Sequence, residues 1–263
     1  MNALKITAEQ IRGMKAAGTR VAALTAYDYP MARLLDQAGI PLILVGDSLG
    51  MVVLGYPDTT EVTMADMEHH VRAVARAKPN ALLVADLPYQ TYRNPAEALA
   101  NAHRLVAAGA EAVKAEGGRI IETAVRAITG AGIPFCGHLG MLPQHVREEG
   151  GYRVKGKTDA ERLALLDDAT CLAAAGAFAI VLELVAPQVA EEITRCVPVP
   201  TIAIGSGKKC DGQVLVTHDL LGILPWLGLK HVKPALNAAE QMRATVEEWK
   251  KSVEASVEVH AAG

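Results

Sequence analysis

Eight short apolar runs rich in β-forming residues alternate with segments of helical periodicity, which predicts an α/β fold closed as a (β/α)8 TIM barrel. Composition agrees. The 263 residues are 51% hydrophobic yet only 4% aromatic, with two Phe, two Trp and six Tyr against 23 Gly, so the core must be built from small aliphatic side chains. A single barrel commonly takes about 250 residues, and no linker-like stretch interrupts the chain, so residues 1–263 read as one barrel domain. A doubly wound sheet is the runner-up. It lacks its signature, because Thr25-Ala26-Tyr27-Asp28 follows the first run where a GxGxxG turn would stand.

The elements follow in order. An extra N-terminal helix over about residues 7–17 starts at Thr7 with Gln10, a capping-box pair, and is placed to plug the barrel floor. The runs then fall at 21–24, 42–45, 81–84, 112–113, 134–137, 179–182, 201–204 and, more weakly, 214–216. Between them, Asn94-Pro95 with Glu97, and Thr158 with Glu161, open helices. Ala38-Gly39, Lys78-Pro79, Ala108-Gly109 and Ala131-Gly132-Ile133-Pro134 close them. Runs apolar on both faces belong to parallel strands. A long C-terminal helix covers about 237–257, where Met242, Val246, Trp249 and Val253 recur at helical spacing. That stripe suits packing on its own domain or a subunit contact. The six tyrosines, Tyr27, Tyr29, Tyr56, Tyr89, Tyr92 and Tyr152, all fall in expected loops after strands, so none is expected in the core.

Charge narrows the partners. With 26 Lys plus Arg against 29 Asp plus Glu, the net charge of −3 offers no field for nucleic acid or an anionic membrane, leaving small molecules or copies of the chain itself. No apolar stretch approaches the about 20 residues of a membrane span, and residues 1–19 hold no continuous apolar segment, so a soluble, unexported protein is expected. Cys136, Cys171, Cys196 and Cys210 lie far apart without a CxxC pair and read as reduced thiols of a cytosolic protein.

In such a barrel the chemistry collects where the strands end. The second run leads to Asp47 and Ser48, the third to Asp86, the fourth to Lys114 and Glu116, the fifth to His138 and the sixth to Glu183. Lys114 and Glu116, two apart, point the same way, toward the lumen or its mouth. Carboxylates crowded there repel one another unless a cation joins them. Oxygen donors without clustered Cys or His favour Mg2+ or Mn2+, with Asp47 and Asp86 leading the ligand set. Such an ion suits chelation of a 2-oxo acid and stabilisation of its enolate, with Lys114 neutralising the anion. Each residue also has a plainer reading: Asp47 or Asp86 as a helix cap or Arg partner, Lys114 as the ion-pair partner of Glu116, Glu183 as a satisfied strand-end carboxylate. His138 is either a substrate hydrogen-bonder or a packed neutral ring. His69 and His70 read as surface residues. Gly46-Asp47-Ser48-Leu49-Gly50-Met51 is placed to offer backbone N–H groups to a carboxylate, and Ile204-Gly205-Ser206-Gly207 reads as a tight turn before a phosphate cradle.

At these residues the chain resembles the 3-methyl-2-oxobutanoate (ketopantoate) hydroxymethyltransferase family. The likeness spans about residues 25–222 in six ordered blocks: Thr25-Ala26-Tyr27-Asp28, Val45-Gly46-Asp47-Ser48-Leu49-Gly50-Met51, Ala85-Asp86-Leu87-Pro88, Val113-Lys114-Ala115-Glu116-Gly117-Gly118, Gly137-His138-Leu139-Gly140 and Asp211-Gly212-Gln213. The resemblance implies a barrel of the phosphoenolpyruvate/pyruvate type, one Mg2+ per subunit, a cytoplasmic location and a homodecamer of two pentameric rings. It implies transfer of a hydroxymethyl group from 5,10-methylenetetrahydrofolate to 3-methyl-2-oxobutanoate, giving 2-dehydropantoate and tetrahydrofolate in pantothenate biosynthesis. By the same resemblance Asp47, Asp86 and Glu116 form the Mg2+ group. Asp47, Ser48, Asp86 and Lys114 contact the keto acid, Glu183 is the proton acceptor, and His138 falls in the family's histidine motif. The chain departs at Ala115, where a larger aliphatic residue is usual, and at Ser206-Gly207-Lys208-Lys209-Cys210, in a loop more often rich in Gly, Ala and Asn. The alternative readings are a carbon–carbon lyase or phosphonomutase of the same superfamily, and a catalytically silent scaffold.

Overall fold

Branched aliphatic residues on both faces set the strands β1 (Val21–Thr25), β2 (Leu42–Val45), β3 (Leu82–Asp86), β4 (Ala112–Glu116), β5 (Phe135–Gly140), β6 (Ala179–Glu183), β7 (Thr201–Ile204) and β8 (Gly212–Leu215). All pair in parallel with their sequence neighbours, and β8 returns to β1 to close the barrel. The computed structural model describes residues 4–226 and 233–258. By compactness the chain divides after Leu215 into two units, each described by itself.

In the first unit, α1 (Ala8–Ala16), α2 (Tyr29–Gln37), α3 (Leu49–Val52), α4 (Met64–Ala75), α5 (Pro95–Ala108), α6 (Glu122–Gly130), α7 (Asp159–Ala174) and α8 (Pro187–Cys196) alternate with the strands. The expected starts are present: Thr7 and Thr158 make capping boxes with Gln10 and Glu161, and Asn94 caps α5 ahead of Pro95. Gly109 closes α5 in the left-handed region. One unit departs from the repeat. Residues 205–211 join β7 to β8 without a helix, because that span is too short for a helical turn plus both connections.

Side-chain parity divides the barrel core in two. Leu42, Leu44, Leu82, Val84, Ala112, Cys136, Ala179, Val181, Ile202 and Val214 fill the lumen, whereas Ile43, Leu83, Val113, Phe135 and Ile180 face the helices. Helix α1 seals the floor: Ala8 and Ile11 join the lumen cluster, the Lys15 ammonium bonds the Thr194 carbonyl at 2.5 Å and Asp211 at 2.9 Å, and the Ile6 N–H meets the Asn80 carbonyl beside the start of β3. The second unit, from Val216 on, contains α9 (Thr217–Leu221) and α10 (Ala238–Glu258). On α10 the predicted apolar stripe is solvent-exposed at Met242, Val246, Trp249 and Val253.

Two expectations need correction. All six tyrosines follow strand ends, with Tyr29 in the first turn of α2, but Tyr27 and Tyr92 are core residues. Each has a partner for its hydroxyl inside, which removes the cost that keeps phenols outside. His69 is exposed, whereas His70 is half-buried with its Nδ1 at 2.7 Å from the Tyr27 carbonyl. All four cysteines are free thiols.

Gly140 ends β5 at φ +99°, and a Cβ there would collide with the carbonyl oxygen of Glu183 on the neighbouring strand. The Met141 N–H donates to that same carbonyl at 2.8 Å. Substituting Gly140→Ala is expected to cost about 3 kcal/mol, combining left-handed strain with a backbone clash, read as a lower urea midpoint. An unchanged midpoint would show that the end of β5 yields without cost.

Candidate active site

The parity that fills the lumen with aliphatics also aims the strand-end polar groups. Asp86, Lys114, Glu116, His138 and Glu183 share the inward register of the lumen residues, one step nearer the C-terminal rim. Pairing then sets neighbours: Asp86 lies beside Lys114, and Glu116 beside His138. Asp47 and Ser48 come from the turn between β2 and α3, so all seven predicted site residues lie at the same end of the barrel. Asp47, Asp86, Lys114, Glu116 and His138 are buried, and Glu183 is slightly more open.

Lys114 is the hub. Its Nζ sits 2.7 Å from Asp86 Oδ1 and 3.4 Å from His138 Nδ1. Burial alone would lower the ammonium's pKa, but Asp86, Asp47 and Glu116 outweigh it and hold the group charged. Asp86 Oδ2 accepts the Asp47 backbone N–H at 3.1 Å. Asp47 is pushed up to about 7, first by burial and then by repulsion from Asp86. Glu116 is raised well above the carboxylate range by burial and by Asp47. His138 is driven well below its ordinary value by burial and by Lys114, so its ring is neutral. With the Lys114 ammonium as donor, His138 Nδ1 accepts, which leaves the ring proton on Nε2, 3.3 Å from Glu183 Oε2. A buried, neutral ring fits both readings of His138, the packed residue and the substrate hydrogen-bonder. Ser48 shares a 2.8 Å hydrogen bond with the Tyr27 hydroxyl.

Four carboxylates thus face one ammonium. Among the described residues, no three His, Cys, Asp or Glu side chains are gathered as a ready metal cage. Oxygen donors on Asp47, Asp86 and Glu116 with unbalanced negative charge suit a hard divalent cation that takes one or two carboxylates and completes its shell with water and substrate oxygens.

Sequence reasoning missed Gln144 and the role of Tyr92. Gln144, in the 3-10 turn Pro143–His145, donates its side-chain amide to Asp47 Oδ2 at 2.7 Å and to the Leu87 carbonyl at 2.9 Å. Its backbone N–H meets Glu116 Oε2 at 3.0 Å, and its side-chain oxygen accepts from the Tyr92 hydroxyl. Four of the expected backbone donors after β2 are spent inside the protein. The Asp47 N–H goes to Asp86, and those of Leu49, Gly50 and Met51 go to Gly46, Asp47 and Ser48 carbonyls within the tight turn into α3. After β7, Gly205 and Gly207 take positive φ, and the Ser206 hydroxyl bonds the Leu182 carbonyl and the Val185 N–H, a turn that braces the end of β6.

Known proteins place the chain in a family and a fold. The sequence pattern of the ketopantoate hydroxymethyltransferase family matches residues 5–257. The chain is 55% identical to the 3-methyl-2-oxobutanoate hydroxymethyltransferase of Ignicoccus hospitalis over 84% of this chain and 85% of that protein. It is 51% identical to the same-named enzyme of Moorella thermoacetica over 95% and 93%. Similar folds include phosphonopyruvate hydrolase in complex with oxalate and Mg++, with a TM-score of 0.61, 16% identity, and coverage of 95% of this chain and 99% of that one. Another is 2,3-dimethylmalate lyase of the PEP mutase/isocitrate lyase superfamily, with a TM-score of 0.63, 15% identity, and coverage of 95% and 86%. At those identities the likeness speaks for the barrel alone. The match along almost the whole sequence goes further: the chain is an enzyme and belongs to the ketopantoate hydroxymethyltransferase family.

Proposed function

We propose that the chain catalyses Mg2+-dependent transfer of a hydroxymethyl group from 5,10-methylenetetrahydrofolate to 3-methyl-2-oxobutanoate, yielding 2-dehydropantoate and tetrahydrofolate. The observation that carries this reading is the cluster of four carboxylates around Lys114, in a chain of this family. Asp47, Asp86 and Glu116 would hold the ion. Bound there, Mg2+ supplies Lewis acidity to the carbonyl and carboxylate oxygens of a 2-oxo acid.

The chain's own residues account for the remaining work. Lys114 keeps its charge and faces the negative charge that develops on the substrate oxygen as the C3 proton leaves. Glu183 accepts that proton, the C–H electron pair passes into the enolate, and C3 then bonds to the one-carbon unit carried by the folate; both C–N bonds of that unit break, one water is consumed whose oxygen becomes the hydroxyl oxygen, and the folate nitrogens take up the protons to leave tetrahydrofolate. The His138 ring lies beside Glu183, its Nε2 3.3 Å from Oε2, while Ser48, fixed by Tyr27, offers a hydroxyl to the keto acid. Tyr152 stands at the same mouth: its phenol is raised by burial and then by repulsion from Glu183, Asp47 and Glu116.

The lyase alternative, drawn from the same superfamily, calls for a reactive cysteine. Cys136 lies beside Lys114 on the neighbouring strand, with its thiol pushed up to about 12 by burial, the opposite of activation. Among the described residues no helix is long and apolar enough to cross a membrane, and we take the cytoplasm as the site of action. A homo-oligomer, a decamer by family resemblance, is part of the proposal, supported by the exposed stripe on α10.

Deuterium exchange at C3 of the keto acid, followed with Mg2+ and without folate, tests the base. Glu183→Gln is expected to slow exchange by about 100-fold or more, and undiminished exchange would remove Glu183 from that role.

The charge surplus also sets a pH dependence. The folded-state pKa of Asp47, about 7, exceeds the ordinary carboxylate value near 4, so the folded protein holds the extra proton. In metal-free protein this penalty is absent below about pH 4, grows between 4 and 7, and is complete above 7. Stability is expected to fall on the order of 1 to 3 kcal/mol across that window. Added Mg2+ should raise Tm at pH 8 and scarcely at pH 5. Equal effects at both pH values would count against the carboxylates as the ion's ligands.

A further inference from the structure

We propose that Gln144 is a positioning residue of the acidic centre: its side-chain amide holds Asp47, its backbone N–H holds Glu116, and Tyr92 sets which way the amide faces. The inference rests on the reading above that Asp47 and Glu116 serve a divalent cation.

The orientation of the amide follows from its partners. Asp47 Oδ2 and the Leu87 carbonyl are both acceptors, so the NH2 group must face them, at 2.7 and 2.9 Å. That turns the side-chain oxygen toward Tyr92, whose hydroxyl must then donate. Burial and the nearby Glu116 and Asp47 raise the phenol's pKa, so it keeps its proton. Each donor of Gln144 is therefore spent on a named acceptor, and none is free to reverse the arrangement. Gln144 itself is almost fully buried, enclosed where the turns after β2, β3 and β5 meet.

The consequence concerns which carboxylate oxygens stay available. Gln144 engages Asp47 through Oδ2 and Glu116 through Oε2. Each carboxylate is held through one oxygen, leaving Oδ1 and Oε1 outside these bonds. All the donors involved are neutral, so the pinning adds no positive charge to compete with a cation. An Arg or Lys in the same place would hold the carboxylates equally well and neutralise them.

The test is Mg2+ binding by metal-free protein without substrates, followed by calorimetric titration, for the parent chain, Gln144→Met and Tyr92→Phe. Gln144→Met keeps the length and the backbone N–H but removes the side-chain bonds. Partners that orient metal ligands are typically worth about 10- to 100-fold in affinity, and a loss in that range is expected while the circular dichroism spectrum stays that of the parent. Tyr92→Phe, which leaves Gln144 in place, is expected to weaken binding about fivefold. The double variant should bind within about twofold of Gln144→Met, because Tyr92 acts through the amide. In C3 exchange assays the half-saturating Mg2+ concentration should rise in step. A parent that binds Mg2+ while both single variants bind it equally well overturns the role of Gln144 alone. A parent that binds none overturns the cation reading together with it. If Gln144→Met fails to fold, Tyr92→Phe decides the matter by itself.

Discussion

The site depends on one ammonium buried among four carboxylates. Removing a carboxylate from water costs several kcal/mol unless a partner and hydrogen bonds compensate, and among the described residues Lys114 is the only buried Lys or Arg gathered at the barrel mouth. Its position follows from strand geometry. Lys114 occupies an inward register position of β4, paired with Asp86 of β3, so the short contact between them is set by the sheet and not by a flexible loop. The lumen below is filled by aliphatic side chains and sealed by Ile11 of α1, which gives the charges a rigid, low-dielectric floor. The same floor that strengthens the Lys114–Asp86 pair also makes the unpaired remainder costly.

How that remainder is managed explains much of the local design. The further groups that steady the carboxylates are uncharged: the Asp47 N–H on Asp86, the Gln144 amide on Asp47 and the Gln144 N–H on Glu116. Neutral donors fix geometry while leaving the negative potential in place. The raised pKa values of Asp47 and Glu116 have the same direction, because burial first and repulsion from neighbouring carboxylates second both favour the acquisition of positive charge.

The barrel and its acidic rim were legible because both are written in local pattern. Runs apolar on both faces mark parallel strands, and a two-residue spacing places Lys114 and Glu116 on one side whatever the rest of the chain does. Asp86 and Glu183 stand at the ends of such runs, and each proves to be the last residue of its strand. Gln144 was not legible. It reaches Asp47 across 97 residues and Tyr92 across 52, and neither separation leaves a local periodicity to read. Burial of Tyr27 and Tyr92 was missed for a related reason. Loop position argued for exposure, but each phenol finds its partner on a different loop, and only the fold brings those loops together. The missing helix between β7 and β8 was a matter of length, visible in the count of residues between them but overridden by the expectation of a regular repeat.

The α10 stripe marks where pattern reading reaches its limit. Met242, Val246, Trp249 and Val253 recur at the spacing of one helical face, and the helix forms over nearly the predicted span. All four are solvent-exposed in the single chain. Periodicity specifies that a helix has an apolar face, since that follows from 3.6 residues per turn; it carries no information about what covers the face. For β4 the two questions had one answer, because a closed barrel supplies the lumen to every inward residue. For a terminal helix they separate. The local code that located the strand-end carboxylates therefore locates the face of α10 equally well.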